Sequence, residues 1–245
     1  MITMVEAYRF APYGSKDSAD SAEGVASDLS KGELVIMISG VSREFEGWEE
    51  GVAHLVKEDP ILRALVETYP GEKLAPKDRP FETLVRSVVG QQISVKAAES
   101  VWLRFVGRLG EVSPEAILDC SVDELRACGL SGRKVEYVKG IADDPARCDP
   151  AQLTSLDDED ACRHLVAYRG VGEWTAQMFM IFALCRPDIL SLKDIGLRRG
   201  VEKHYADGRR LSDQEIQNIA EPWRPWRSIA TWYLWRSLDP IPVEY

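Results

Sequence analysis

Cysteine and histidine are too sparse and too scattered in this 245-residue sequence to suggest a metal centre. The five cysteines (Cys120, Cys128, Cys148, Cys162 and Cys185) form no Cys-x-x-Cys pair, and the three histidines do not cluster. This pattern argues against a zinc site or an iron–sulfur cluster and favours a reducing compartment. We therefore expect no required cofactor.

The sequence also lacks the segments that direct a protein to or through a membrane. Its longest apolar runs fall well short of the roughly 18 residues that a membrane-spanning helix needs. The first ten residues, MITMVEAYRF, have neither the basic start nor the apolar core of a signal peptide. We expect a cytoplasmic protein of a prokaryote that makes no membrane contact.

An overall basic charge, the usual mark of a nucleic-acid-binding protein, is missing: the formal net charge is −10. The acids are unevenly distributed, however. Residues 1–80 carry 15 acidic and 9 basic residues, and residues 143–160 carry 7 acidic residues and 1 basic residue. By contrast, residues 163–210 carry nine basic and five acidic residues. A local basic face of this kind suits phosphate contact, although a charged stretch is more often a solvated surface.

Helical periodicity dominates from residue 81 onward. Phe81, Leu84, Val85, Val88 and Val89 share one helix face. Further helices are predicted at about 159–169, 173–185, 195–205, 212–220 and 225–237. Before residue 76 the only convincing strand is the apolar run at 33–40, and 71–80 has the composition of a linker. The sequence predicts a mainly α protein, with a small α+β region at 1–75 and a helical core at 76–245.

A tight turn between two predicted helices marks the hairpin at 160–185. Gly170-Val171-Gly172 joins the helices, and Val171 is expected to point inward between them. Two glycines remove side chains from the outside of the turn, so backbone N–H groups there can face a phosphate. An ordinary glycine turn between two packed helices explains the same residues equally well, and taken alone it is the more common case.

Three motifs in order resemble the helix-hairpin-helix DNA glycosylase superfamily, in particular its bacterial 3-methyladenine DNA glycosylase II branch. They are FETLVRSVVGQQISVKAA (81–98), the hairpin RGVGEWTA (169–176), and Trp223-Arg224-Pro225-Trp226-Arg227-Ser228. An aspartate about 20 residues after the hairpin, here Asp194, completes the pattern. The resemblance covers about 80–238 and implies a glycosylase fold of two helical subdomains.

The resemblance makes Asp194 the catalytic carboxylate. Breaking an N-glycosidic bond builds positive charge on the sugar, which a nearby carboxylate stabilises while it helps to activate water. Asp194 also stands just before a predicted helix, where it would serve as an N-cap. Asp188 is the rival carboxylate, but Arg186-Pro187-Asp188 has the composition of a turn.

The resemblance also indicates the reaction type and the substrate. Relatives that nick the DNA backbone carry a lysine where this chain has Trp174, so we expect hydrolysis of the base without lyase activity. Trp174, Met178 and Trp235 are implied as the base pocket, which would select electron-poor, alkylated bases by stacking. A glycosylase for oxidised, deaminated or mismatched bases, and a non-catalytic DNA-binding hairpin, remain the alternatives.

Double-stranded DNA with a damaged base is the implied partner, and we expect the protein to act on it as a monomer. The resemblance places the side chain that fills the gap left by the flipped base at Gln92. The expected DNA-contacting residues are Gln92, Ser94, Arg133, Lys134, Gly170, Gly172, Thr175 and Arg198. The resemblance further implies a structural Na⁺ or K⁺ held by the backbone carbonyls of Val166, Tyr168 and Val171.

Overall fold

The structure, a computed structural model, describes residues 45–238, and it is helical throughout. The predicted strand at 33–40 lies outside the described residues. The α-helices are α1 (Trp48–Glu58), α2 (Pro60–Thr68), α3 (Pro80–Gly90), α4 (Val95–Leu109), α5 (Pro114–Asp119), α6 (Val122–Ala127), α7 (Gly132–Asp143), α8 (Pro150–Leu153), α9 (Asp158–Val166), α10 (Glu173–Phe182), α11 (Ile195–Tyr205), α12 (Asp213–Ala220) and α13 (Arg227–Arg236). Short 3₁₀ helices cover Pro145–Cys148 and Glu221–Trp223.

Short-range side-chain caps determine where many of these helices begin. Serine hydroxyls accept a backbone N–H at the starts of α4, α5, α6, α7 and α12. At α6 and α12 the cap is reciprocal, because a glutamate three residues later accepts the N–H of the capping serine. Each such cap stabilises a helix start by about 1 kcal/mol, so short sequence signals define these boundaries.

The helices pack in two groups. In the first group, α3 packs against α4, α7 and α10, while α5 packs on α7 and α9 packs on α10. In the second group, α13 packs against α11, α2 and α1. This arrangement confirms the predicted mainly α fold of two helical subdomains.

The second group combines helices that precede the first group in the chain, α1 and α2, with helices that follow it, α11 and α13. Asp59, the N-cap of α2, accepts hydrogen bonds from the Tyr205 hydroxyl at 2.8 Å and from Nε1 of Trp223 at 2.9 Å. Glu72 accepts from the guanidinium of Arg236 on α13. Residues 45–75 therefore pack with 195–236, and the domain boundary near residue 75 stays a prediction.

The two groups meet where α10 ends. Phe182, the last residue of α10, stacks on Trp235 of α13 with ring centroids 5.7 Å apart and planes 9° apart. The contact brings α10, α13 and the start of α11 together. Among residues 45–238, no helix is both long enough and apolar enough to cross a membrane.

Candidate active site and DNA-binding surface

Asp194 caps the start of α11 from a buried position. Its Oδ2 accepts the backbone N–H of Leu197 at 2.6 Å, and its own N–H donates to the Ser191 carbonyl at 2.9 Å. Only 1% of the residue is exposed. A buried carboxylate is costly unless N–H donors surround it, so its remaining contacts decide what it can do.

Two tryptophans from different helices donate to this carboxylate. Nε1 of Trp174, on α10, lies 3.1 Å from Oδ1, and Nε1 of Trp235, on α13, lies 2.7 Å from Oδ2. Together with Leu197, they give Asp194 three N–H donors. The two oxygens differ: Oδ2 accepts two hydrogen bonds, whereas Oδ1 accepts one, from a partly exposed indole. Oδ1 therefore keeps more of its hydrogen-bond-accepting capacity than Oδ2.

Close packing fixes the carboxylate on its Oδ2 side. A Cβ placed on Gly196 would lie 2.8 Å from Cδ1 of Trp235 and 3.0 Å from Oδ2 of Asp194. Both distances are shorter than ordinary van der Waals contact, so glycine is required for this approach. Sequence reasoning missed the role of Gly196 because the close contact comes from a helix about 40 residues away.

The three residues predicted to form the base pocket differ in their exposure. Met178 is fully buried and Trp235 is 2% exposed, with one ring face against Phe182. Trp174 is partly exposed, and the assignment of these three residues to a base pocket stays a prediction. Trp235 donates its indole N–H to the Asp194 carboxylate.

The hairpin has the predicted form, with α9 and α10 joined through Gly170–Gly172. Gly170 has a φ of +92°, and a Cβ there would lie 2.2 Å from the ring of Tyr137. Val171 is buried between the helices, as expected. Gly172 starts α10 without a side-chain cap, which leaves the first-turn N–H groups available for an anion.

An exposed ion pair lies beside the hairpin. Glu173, the first residue of α10, bonds to Lys193, the residue before Asp194. This hydrogen bond raises the pKa of Lys193 above its ordinary value. The pair therefore places a carboxylate at the start of α10, where a phosphate is expected to bind.

The two glutamines of the turn between α3 and α4 have different surroundings, because Gln92 is exposed and Gln91 contacts the hairpin. Gln92 is exposed and has a φ of +60°, a left-handed conformation uncommon for residues other than glycine. Gln91 instead donates to the Gly170 carbonyl at 3.1 Å and to Oγ1 of Thr175 at 3.3 Å. Ser94 caps α4 through a hydrogen bond from Ala97.

Several predicted DNA-contacting side chains have protein partners. The Lys134 ammonium donates to the carbonyls of Val89 and Gln91, both at 2.7 Å. Arg198 donates to the Leu192 and Leu211 carbonyls at 3.2 and 2.6 Å and pairs with Asp213. The Thr175 side chain is buried. These contacts tie helices together, so their DNA role stays a prediction. Arg133, by contrast, is exposed.

The rival carboxylate and the proposed cation site can also be located. Asp188 forms ion pairs with Arg227 at 2.6 Å and with Arg224 at 2.9 Å. Both oxygens of its carboxylate are thus engaged by arginines. The carbonyl of Tyr168 accepts the N–H of Val171 at 3.1 Å and keeps a second lone pair. With Val166 on the last turn of α9, these residues lie at the hairpin, and the cation site stays a prediction.

The described residues combine a helical fold of two groups, a helix-hairpin-helix element and a buried aspartate at a helix start, which are the features that the resemblance to the DNA glycosylases implies. The family model described as "HhH-GPD superfamily base excision DNA repair protein" matches residues 85–225. The chain therefore belongs to the HhH-GPD superfamily of base excision DNA repair proteins.

Individual relatives carry the comparison further. The chain is 30% identical over 216 residues to DNA-3-methyladenine glycosylase 1 of Schizosaccharomyces pombe, covering 84% of this chain and 90% of that protein. It is similar to the crystal structure of DNA-3-methyladenine glycosidase from Bacillus halodurans, with a TM-score of 0.70, 33% identity and coverage of 80% and 92%. The S. pombe 3-methyladenine DNA glycosylase in complex with abasic DNA gives a TM-score of 0.68, 27% identity and coverage of 80% and 99%.

Proposed function

We propose that this protein is a monofunctional DNA glycosylase that hydrolyses the N-glycosidic bond of alkylated bases such as 3-methyladenine and 7-methylguanine. The observation that carries the proposal is the buried Asp194 carboxylate, held by Trp174, Trp235 and Leu197 beside a hairpin suited to phosphate binding. Relatives named as 3-methyladenine glycosylases support the choice of substrate.

The reaction begins with extrusion of the damaged nucleotide from the duplex. First-turn N–H groups of α10 bind a phosphate, and Gln92 fills the gap in the base stack. Ring alkylation leaves the purine cationic, so its bond to C1′ breaks without a strong acid, and the bonding electrons leave with the base. The partly exposed indole of Trp174 is available to stack on such an electron-poor base.

Asp194 then stabilises the positive charge that develops on the sugar. Two donors fix Oδ2, while Oδ1 shares a single hydrogen bond with Trp174, so a small movement of that indole exposes Oδ1 to C1′. Water adds to C1′ and gives up its proton to the carboxylate. A side chain with no nucleophilic amine occupies position 174, which supports hydrolysis without a Schiff base and thus without lyase activity.

The same proposal includes a bound cation, the oligomeric state and the compartment in which the protein acts. A Na⁺ or K⁺ bound by the Val166, Tyr168 and Val171 carbonyls would bridge the hairpin to phosphate, and no other cofactor is needed for this chemistry. We propose that the protein acts as a monomer in the cytoplasm, where it meets chromosomal DNA.

Asp194→Asn tests the catalytic assignment. Excision of 3-methyladenine and 7-methylguanine should fall below detection, while the dissociation constant for damaged duplex stays within about threefold. Asp207→Asn is the matched control, since Asp207 is exposed and its φ of +49° is tolerated by asparagine. Base release from a panel of lesion-bearing oligonucleotides provides the readout.

Three outcomes of this panel would contradict the proposal. Full activity of Asp194→Asn would remove the catalytic role of that carboxylate. Release of oxidised or deaminated bases alone would identify a different glycosylase. Binding to DNA with no base released from any lesion would leave only a DNA-binding hairpin.

A further inference from the structure

Two side chains that the chemistry at Asp194 does not use hold the turn between α3 and α4. On one side, Gln91 donates to the Gly170 carbonyl and to the Thr175 hydroxyl of the hairpin. On the other side, Lys134 of α7 donates to the carbonyls of Val89 and Gln91. A single turn is thus bonded to the hairpin and to α7 at the same time.

Lys134 places a cation at the C-terminal end of α3, where the helix dipole favours a positive charge. The last carbonyls of α3 have no partner within the helix and are commonly satisfied by water or by a following glycine. Here a partly buried ammonium takes that place, and burial lowers the pKa of Lys134. Withdrawing a charge from water is unfavourable, and the hydrogen bonds to two carbonyls at 2.7 Å offset that cost and join α7 to the turn.

The conformation being held is itself unfavourable. Gln92 has a φ of +60°, which persists in a non-glycine residue only when its neighbours impose it. Gln91, directly before it, is fixed through both its side chain and its carbonyl. The exposed Gln92 side chain therefore projects from a strained backbone that the Gln91 and Lys134 contacts keep in place.

We propose that Gln91 and Lys134 are positioning residues that hold the exposed Gln92 side chain in register with hairpin residues 170–175. Phosphate binding at the hairpin and insertion of Gln92 into the base stack then occur as one rigid-body step. This inference rests on the proposed function, because it takes Gln92 as the side chain that fills the gap left by the flipped base.

Fluorescence of 2-aminopurine placed next to the lesion tests the proposal, because this base brightens when stacking is disrupted. Gln91→Met keeps the length of the side chain and removes both donated hydrogen bonds, and Lys134→Met removes the ammonium. Each should lower the fluorescence rise and the single-turnover excision rate constant by about tenfold, since each loses two hydrogen bonds. The dissociation constant for undamaged duplex should change by less than about twofold.

Matched variants separate positioning from general stability. Gln152→Met makes the same substitution on an exposed helix position and should leave both signals unchanged. Lys134→Arg, which still donates to carbonyls, should recover most of the fluorescence rise. If Gln91→Met does not fold, the shorter Gln91→Asn replaces it, and Lys134→Met tests the same turn independently.

The fluorescence experiment in the Asp194→Asn background distinguishes this inference from the proposed function. Normal base opening in Gln91→Met and Lys134→Met would overturn the positioning role even if the wild-type protein excises alkylated bases. Opening that depends on both residues, combined with a wild-type protein that releases no base from any lesion, would instead overturn the proposed function. Equal losses in opening, duplex affinity and thermal stability would reduce both residues to ordinary packing and also overturn the inference.

Discussion

Trp235→Phe separates the two roles that Trp235 can have, as a wall of the base pocket or as a donor to Asp194, the carboxylate that we propose is catalytic. The substitution keeps an aromatic ring against Phe182 and removes the N–H that lies 2.7 Å from Oδ2 of Asp194. A hydrogen bond to a charged acceptor contributes about 1.5–3 kcal/mol. At about 1.4 kcal/mol per factor of ten, the single-turnover excision rate constant should fall by about 10- to 150-fold.

The free energy of unfolding should also decrease, because phenylalanine leaves unfilled volume at a site that is 2% exposed. We expect a loss of about 2–4 kcal/mol from the missing hydrogen bond and the cavity together. For a protein of this size, each kcal/mol lowers Tm by about 2–4 °C. Rates should therefore be measured well below the variant's own unfolding transition.

Trp232→Phe is the control, because it is the same change on the same helix at 6% exposure. Trp232 packs edge-on against Trp48, with ring centroids 5.4 Å apart, and makes its contacts away from Asp194. Its variant should lose stability while keeping the excision rate constant within about twofold. The reasoning would be refuted if Trp235→Phe kept the wild-type rate constant and instead altered the preference among damaged bases.

Two further predictions concern residues at the start of α10. Trp174→Lys places an amine beside Asp194, and it should let borohydride trap a covalent complex with abasic DNA that the wild-type protein does not form; trapping by the wild-type protein would contradict monofunctional hydrolysis. Glu173→Gln removes an acid from the start of α10, which is proposed to bind phosphate. DNA affinity should therefore rise several-fold at low salt, and the gain should shrink as salt increases. Unchanged or weaker binding, measured by fluorescence anisotropy, would argue against phosphate contact there.

Local sequence signals predicted the helices and the hairpin because those features depend on neighbouring residues. The helix expected at about 195–205 is Ile195–Tyr205, and the one expected at about 173–185 ends earlier, at Phe182. Asp194 was expected as an N-cap and is one. In each case, caps, glycines and helical periodicity within a few residues carry the information.

Long-range partners could not be predicted in the same way. Trp174 and Trp235 are 20 and 41 residues from Asp194, and no spacing rule connects an indole N–H with a carboxylate at those separations. Lys134 is bonded to carbonyls more than 40 residues away, which the sequence did not indicate, and its expected contact with DNA stays a prediction. A lysine has the same appearance in sequence whether its ammonium meets DNA or the end of a helix.

The way the second helical group is assembled has a consequence for synthesis on the ribosome. Helices α3 to α10, which carry the hairpin, form a continuous stretch and can pack as soon as they have emerged. Helices α1 and α2 emerge earlier but pack against α13, which is nearly the last described segment to appear. The half that carries the hairpin can thus form before the Trp235 donor reaches Asp194, so the nascent chain acquires the hydrogen-bonding geometry around Asp194 only after α13 has been synthesised.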